Sequence, residues 1–267
     1  GLNKIKYRGI DGLNYHNEKS FSLGHALHSI VNNINQPLTK DKFFFVTNCE
    51  IYNWTELNKK YELNAKNDAE LLFKLLIKKG CNNKTLNELD GVYAFSFIDK
   101  DKLYLARDII GVKPLFYSNT DGFYFASEKK ALNEIKCNEI IELDPRKILA
   151  YELEKNKIKF EERNFFNITP QLKHTEKKIS GKVSELFEKA LIKRIPNVKF
   201  GLLFSGGIDS TLIAYLLKKK GYDFICYTTA IKDELMNEPL DLVASKKIAK
   251  ELDLNLKIIE LDSNKID

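Results

Sequence analysis

The spacing of apolar residues changes character at about His174. Before that point, short runs rich in aromatic and β-branched residues predict strands over 42–47, 92–98, 102–106 and 122–126. The polar stretches at 99–102 and 119–122 carry turn-forming residues, so hairpins and antiparallel pairing are expected. One amphipathic helix is predicted in this half, over 68–79, with Ala69, Leu72 and Leu76 on one face. Asn67 or Asp68 supplies its N-cap and Gly80 its stop, and its apolar face should cover the sheet.

Beyond His174, Ile179, Val183, Leu186, Phe187, Ala190 and Leu191 recur at helical spacing. A buried-type strand over 200–204, a helix to about Lys220, a strand over 224–228, a helix over 239–252 and a strand over 256–261 follow. Strand and helix in alternation predict right-handed crossovers and a parallel sheet. The expected organisation is a first domain over 1–166, a polar linker over 167–178 and a second domain over 179–267.

Composition narrows the class. A chain of 267 residues with 43% hydrophobic and 30% charged residues fits a globular protein of two domains. No window approaches the roughly 18 uninterrupted apolar residues of a membrane span. The opening GLNKIKYRGIDG has neither an apolar signal region nor a cleavage site, so a cytoplasmic protein without a membrane partner is expected. Basic residues exceed acidic ones by 43 to 37, a net charge of +6, but lysine is spread along the whole chain. That distribution predicts a solvated surface and no nucleic-acid partner. Cys49, Cys81, Cys137 and Cys226 show no metal-like spacing, which argues against a disulfide framework and a zinc site.

The sharpest chemical signal is SGGIDST at 205–211, between a buried strand and a helix. Gly206 and Gly207 let the backbone bend tightly and approach an anion, and the N–H groups of the following helix favour polyphosphate. Ser205, Ser210 and Thr211 add hydroxyl donors. The Asp209 carboxylate would repel phosphates unless a cation intervened, so bridging magnesium is expected. No lysine follows the glycines and no GxGxxG is present, which removes the Walker A and dinucleotide readings. A glycine turn with a capping Asp or Ser is the bland alternative.

SGGIDS after a strand resembles the pyrophosphate loop of the ATP-pyrophosphatase family, enzymes that adenylate an oxygen and release pyrophosphate. The resemblance implies that Ser205, Gly206, Gly207, Asp209 and Ser210 hold the pyrophosphate end of ATP with magnesium. It implies also that Leu203 and Thr229, at the carboxyl ends of the first two parallel strands, present backbone to adenine. Asp241 matches a recurrent acidic position, or simply opens a helix.

Segments 8–11 (RGID), 48–53 (NCEIYN), 89–95 (LDGVYAF), Arg107-Asp108 with Gly111 and Pro114-Leu115, and 126–129 (ASEK) occur in that order. Together they resemble the glutamine amidotransferase domain of the asparagine synthetase family. The implied fold is an N-terminal-nucleophile αββα antiparallel sandwich followed by part of a parallel-sheet ATP-pyrophosphatase domain. In that family an N-terminal Cys attacks the glutamine carboxamide, and its own α-amine is the base. By this likeness Asn48 and the Cys49 N–H are oxyanion donors, and Glu50 and Asp68 hold the substrate amine. Released ammonia would then attack β-aspartyl-AMP to give asparagine.

Three departures bear on the glutaminase half. No N-terminal Cys and no first strand precede RGID, so a chain cut at both ends is expected. The family's carboxylate-binding Arg falls at Leu27, with His28 one residue along and on the opposite face of a strand. Cys49 replaces a Gly, and an internal Cys without α-amine or base is not expected to be a relocated nucleophile. The expected substrates are ATP, aspartate and glutamine or ammonia, with a homodimer as a further expectation. Three alternatives stand beside this: a nucleotide-binding protein with a non-catalytic amidotransferase-like half, a relative of the β-lactam-forming enzymes, and an RNA-modifying ATP-pyrophosphatase. The order of the amidotransferase-like segments argues against the last.

Overall fold

The computed structural model describes residues 1–29, 32–164, 175–196, 198–232 and 238–262. The chain forms two compact units, Gly1–Pro170 and Gln171–Asp267. The expected linker falls largely on residues outside the description. Its described part, 175–178, already begins a helix.

The first unit opens with a 3-10 helical segment, Leu2–Arg8, followed by strands β1 (Gly12–Asn17), β2 (Ser22–Leu27), β3 (Leu38–Lys40) and β4 (Phe43–Ile51). Helices α1 (Trp54–Tyr61), α2 (Asp68–Lys79) and α3 (Asn83–Leu86) come next, then β5 (Gly91–Asp99), β6 (Lys102–Arg107), β7 (Phe116–Ser118) and β8 (Tyr124–Ala126). The unit closes with α4 (Lys129–Glu134), β9 (Ile141–Glu142), β10 (Lys147–Glu152) and β11 (Lys157–Glu162). A six-stranded antiparallel sheet in the order β11-β10-β6-β5-β4-β3 forms its centre. The β1-β2 hairpin and a three-stranded sheet, β8-β7-β9, accompany it.

Both faces of the central sheet are covered, which explains why β4 and β5 read as near-continuous apolar runs. On one face Phe45, Phe95 and Phe97 pack against Leu71, Leu72, Leu75 and Leu76 of α2. On the other, Val46, Ala94, Ile98, Leu105 and Leu149 meet Leu23 of β2 and Leu115, Tyr117 and Leu143 from the small sheet and its flanks. With α4 packed on β7 and β8, the layers run α-β-β-α. Burying each Phe or Leu side chain contributes on the order of 1.5–3 kcal/mol, so this double-faced sheet is where the unit's stability resides.

Helix α2 falls on its predicted bounds because its ends are chemically marked. The Asn67 side chain accepts the Glu70 N–H at 2.9 Å, and Gly80 ends the helix at φ 78°. The expectation of a single helix in this half is corrected: α1, α3 and α4 are also present. They escape the pattern because α1 buries only Leu57, α3 is one turn, and α4 buries only Ala131 and Leu132. The strand predicted over 42–47 runs on to Ile51, since Asn48–Glu50 remain in the ladder opposite Val92–Ala94. The strand predicted from Gly122 begins at Tyr124, because Gly122 sits at φ 128°.

Two buried arginines brace the joint between the sheets. Arg163 donates to the carbonyls of Arg107 (2.6 Å) and Pro145 (3.0 Å) and to the Tyr93 hydroxyl (2.9 Å). Arg107 donates to Glu142 at 2.7 Å and to the Gly111 carbonyl. The buried Asp108 carboxylate accepts the N–H groups of Val112 (2.9 Å) and Lys113 (3.0 Å). The turn at 111–113 is thus clamped from within.

The second unit contains α5 (Glu176–Ile192), β12 (Gly201–Leu203), α6 (Ile208–Lys219), β13 (Ile225–Lys232), α7 (Leu240–Glu251) and β14 (Leu256–Asp262). Its strands form the expected parallel sheet, ordered β12-β13-β14. Phe204, Ala214, Cys226 and Ala249 make its small core beneath α6 and α7. Among the described residues, no helix of the chain is long and apolar enough to cross a membrane.

Candidate functional site: a strand-edge cavity and a glycine turn

The first unit holds a cavity of about 950 Å³ along the outer edge of β4. Strand β3 pairs with Phe43–Phe45, and among the described residues no strand pairs with that edge of β4 beyond Phe45. Side chains take over the edge. The Thr47 N–H donates to Gln36 Oε1 at 2.7 Å, and the Thr47 carbonyl accepts Gln36 Nε2 at 3.1 Å. Four residues on, the Ile51 N–H donates to Asp68 Oδ2 at 3.1 Å. Residues two apart on an antiparallel strand send their N–H groups to the same side, so the Cys49 N–H lies between these two on the cavity edge. Asn48, Cys49, Glu50 and Asp68 all line that cavity.

The electrostatics of this wall are specific. Burial raises the Asp68 carboxyl above its usual range, while the N–H groups of Ile51 and Ala69 pull it back. Asp68 is the first residue of α2 and ties the helix to the β4 edge, and Asn67 is the cap. Burial, and then the charge of Asp68, push the Cys49 thiol well above its normal value. Its Sγ lies 3.8 Å from Asp68 Oδ2. A thiol so held stays protonated at neutral pH, which works against its acting as a nucleophile. Burial lowers the pKa of His25, with its bond to Thr47 opposing, so the ring is neutral at physiological pH. Its Nε2 is 3.0 Å from the Thr47 carbonyl and therefore carries the proton, which leaves Nδ1 an acceptor. Leu27 is 6% exposed and puts an apolar side chain at the position where the resemblance implies an arginine. His28 lies past the end of β2 and is exposed, which corrects its expected place on the far face of a strand.

Sequence reasoning missed Gln36, the Thr47 contact of His25, and Lys113, whose Nζ lies 3.4 Å from Glu50 Oε1. Only the order GxKPL around Lys113 could have drawn attention to it.

In the second unit, Ser205, Gly206 and Gly207 form the turn between β12 and α6, and Asp209 and Ser210 lie in the first turn of that helix. Gly206 has φ 74°, and a Cβ there would stand 2.5 Å from the carbonyl carbon of Ala244 and 2.6 Å from the Ser245 nitrogen in α7. Only glycine permits both. Gly207 is the N-cap of α6; its N–H donates to Ser205 Oγ at 3.3 Å, and Ser210 Oγ donates back to its carbonyl at 3.2 Å. Asp209 is exposed in the first helical turn. Leu203 ends β12 with 82% exposure. Thr229, exposed, sits within β13 instead of at its end, because pairing with β14 prolongs that strand to Lys232. Asp241 is in the first turn of α7. The turn offers hydroxyl and carboxylate oxygens, the donor type magnesium prefers, with one carboxylate. No cluster of three or more His, Cys, Asp or Glu occurs among the described residues, so phosphates and water would have to complete such a site.

The first unit thus carries a polar cavity along an antiparallel sheet, and the second a glycine turn leading into a helix on a parallel sheet. Residues 1–183 match the family model of the glutamine amidotransferase domain, and residues 182–266 that of asparagine synthase. The chain belongs to the glutamine amidotransferase domain family, in the arrangement of the glutamine-hydrolysing asparagine synthetases. It is 33% identical to an asparagine synthetase [glutamine-hydrolyzing] of Zea mays over 223 residues, covering 79% of this chain and 37% of that one. The corresponding proteins of Gallus gallus and Homo sapiens are 30% and 28% identical, each over 92% of this chain and 50% of theirs. The chain thus spans half or less of the length of these relatives.

Proposed function

We propose that the protein makes asparagine from aspartate and ATP, with nitrogen from glutamine. The observation that carries this reading is the succession on one chain of an amidotransferase match and an asparagine synthase match. In the first unit the glutamine ammonium meets Glu50 and Asp68, and the carboxamide oxygen meets the Asn48 side chain and the Cys49 N–H. In the second, the amides and hydroxyls of Ser205, Gly206, Gly207 and Ser210 hold the β- and γ-phosphates of ATP at the start of α6. The backbone at Leu203 and at Thr229 receives adenine.

An aspartate side-chain oxygen then attacks the α-phosphorus. The new O–P bond forms as the bond to pyrophosphate breaks, and β-aspartyl-AMP results. Ammonia, released as water cleaves the glutamine carboxamide C–N bond to leave glutamate, attacks the acyl carbon of that intermediate; AMP departs, a proton is lost and asparagine remains. Magnesium, which Asp209 would hold together with the phosphates, supplies charge neutralisation for the leaving group. Measuring aspartate-dependent pyrophosphate release by the full-length protein tests the reading: absence of release with both glutamine and ammonia rejects it.

A second reading is favoured by Leu27, buried where a cation would serve the substrate, and by Cys49 in place of glycine. In that case ammonia is the nitrogen source and the first unit is a scaffold. Pyrophosphate release that responds to ammonia and ignores glutamine would select it.

A further inference from the structure

We propose that Lys113 receives the α-carboxylate of the amino-acid amide in the first unit's cavity, so that the Glu50–Lys113 ion pair is a receptor for a zwitterion. The inference rests on reading that cavity as the glutamine site. An α-amino acid carries its ammonium and carboxylate on a single carbon, so a site that desolvates both needs partners of both signs side by side. Asp68 and Glu50 supply negative charge. Leu27, buried and apolar, supplies no cation.

Among the described residues lining the cavity, the arginine and lysine side chains are Arg8 and Lys113. Arg8 is committed elsewhere: its Nη1 is 2.7 Å from Glu128, which also takes Lys130 at 3.0 Å and the Tyr7 hydroxyl. Lys113 meets Glu50 at 3.4 Å, longer than the roughly 2.7–2.9 Å of a tight charge-assisted bond. An ammonium has three donors, and the described residues give this one the Glu50 contact. Its side chain is 21% exposed and that of Glu50 is 41% exposed, so both heads can be reached from the cavity.

The base of Lys113 is fixed. Its N–H and that of Val112 are held by buried Asp108, and the Gly111 carbonyl is held by buried Arg107. A zwitterion docked antiparallel to the pair would put ammonium on Glu50 and carboxylate on Lys113, and four alternating charges would replace two.

The test is calorimetric titration of the 267-residue chain with glutamine and with 4-aminobutanamide, which is glutamine without its α-carboxylate. The wild type should prefer glutamine by about tenfold or more, the scale of one charge-assisted contact. In Lys113→Met the two ligands should bind within about twofold of one another, glutamine weakened and 4-aminobutanamide as tight or tighter because Glu50 is released. Lys113→Arg should restore the preference, and Lys113→Gln serves in place of the Met variant if that one fails to fold. A preference that survives in Lys113→Met or Lys113→Gln, or a wild type that binds both ligands equally, overturns the proposal while leaving the amide reading in place. A wild type that binds neither overturns that reading as well.

Discussion

Gly206 and Gly207 are adjacent, yet the structure gives them different duties, and replacing each by alanine separates those duties. At Gly206 a side chain must adopt φ 74° and its Cβ must share space with the α7 backbone at 2.5 Å. The left-handed conformation costs roughly 1–2 kcal/mol and the overlap typically about 1–3 kcal/mol more. Gly206→Ala should therefore destabilise the second unit by about 2–5 kcal/mol, through displacement of α7 at Ala244 and Ser245. At Gly207 the backbone is ordinary, φ −71° and ψ 167°, and a Cβ meets only the Ser205 hydroxyl at 3.3 Å, which can rotate away. Gly207→Ala should cost under about 1 kcal/mol but place a methyl group at the anion face of α6 and reduce ATP affinity about tenfold. Urea unfolding followed by hydrogen exchange in α7, beside ATP titration, reads both quantities. Gly206→Ala within about 0.5 kcal/mol of wild type would refute the close approach, a margin typical of neutral surface changes. ATP binding undiminished in Gly207→Ala would remove the loop from the nucleotide site.

Glu88 receives hydrogen bonds from Lys60, Lys79 and the Tyr61 hydroxyl, which hold its carboxyl down to about 2. Its contribution to stability is present above the ordinary glutamate pKa of about 4.3 and is lost as pH falls toward 2. Glu88→Gln should flatten the acid limb of melting temperature against pH between about 5 and 2; parallel curves would contradict the network. Arg163→Met leaves the Tyr93 hydroxyl and the carbonyls of Arg107 and Pro145 without their donor. A loss of about 3–5 kcal/mol is expected by calorimetry, and one below about 1 kcal/mol would mean the cluster is not bracing the sheets. The raised Cys49 thiol should react with iodoacetamide at least about tenfold more slowly in the native chain than in urea, followed by mass spectrometry. Faster native labelling would reopen its candidacy as a nucleophile.

How much of this was legible in the chain depends on where the information lies. Both ends of α2 could be read because Asn67 and Gly80 act locally. The glycine turn before α6 could be read for the same reason, since two glycines and the flanking hydroxyls fall within a few residues. Strand β11, KIKFEE, could not: it is an edge strand with mostly exposed side chains, so neither face imposes alternation. The far end of β13 was missed because parallel pairing with β14, and not its own residues, prolongs it. The cavity's electrostatics lie furthest from the sequence pattern. Lys113 and Glu50 are 63 residues apart and meet only because Asp108 and Arg107 fix the intervening turn.

The edge of β4 joins fold to site. Pairing with β3 runs from Lys40↔Phe43 to Leu38↔Phe45; two residues further it would set Gln36 opposite Thr47, and four residues further Ile34 opposite Cys49. The chain keeps the first of these positions in altered form: Gln36 stands opposite Thr47 but offers its side-chain amide, whose donor and acceptor substitute for one backbone unit. A backbone in that place would have continued the ladder and covered the Cys49 N–H. An amide side chain satisfies Thr47 and ends the ladder there, while Asp68 satisfies Ile51 farther along the same edge. Burying polar edge groups without partners costs on the order of 1–3 kcal/mol each, so the two substitutions let a strand edge face a cavity without that penalty. The segment between them, Asn48 to Glu50, is left with a side-chain amide, an N–H and a carboxylate directed at the same space. Ending β3 at three residues is what leaves open the surface to which the proposed function assigns an amide bearing a positive charge.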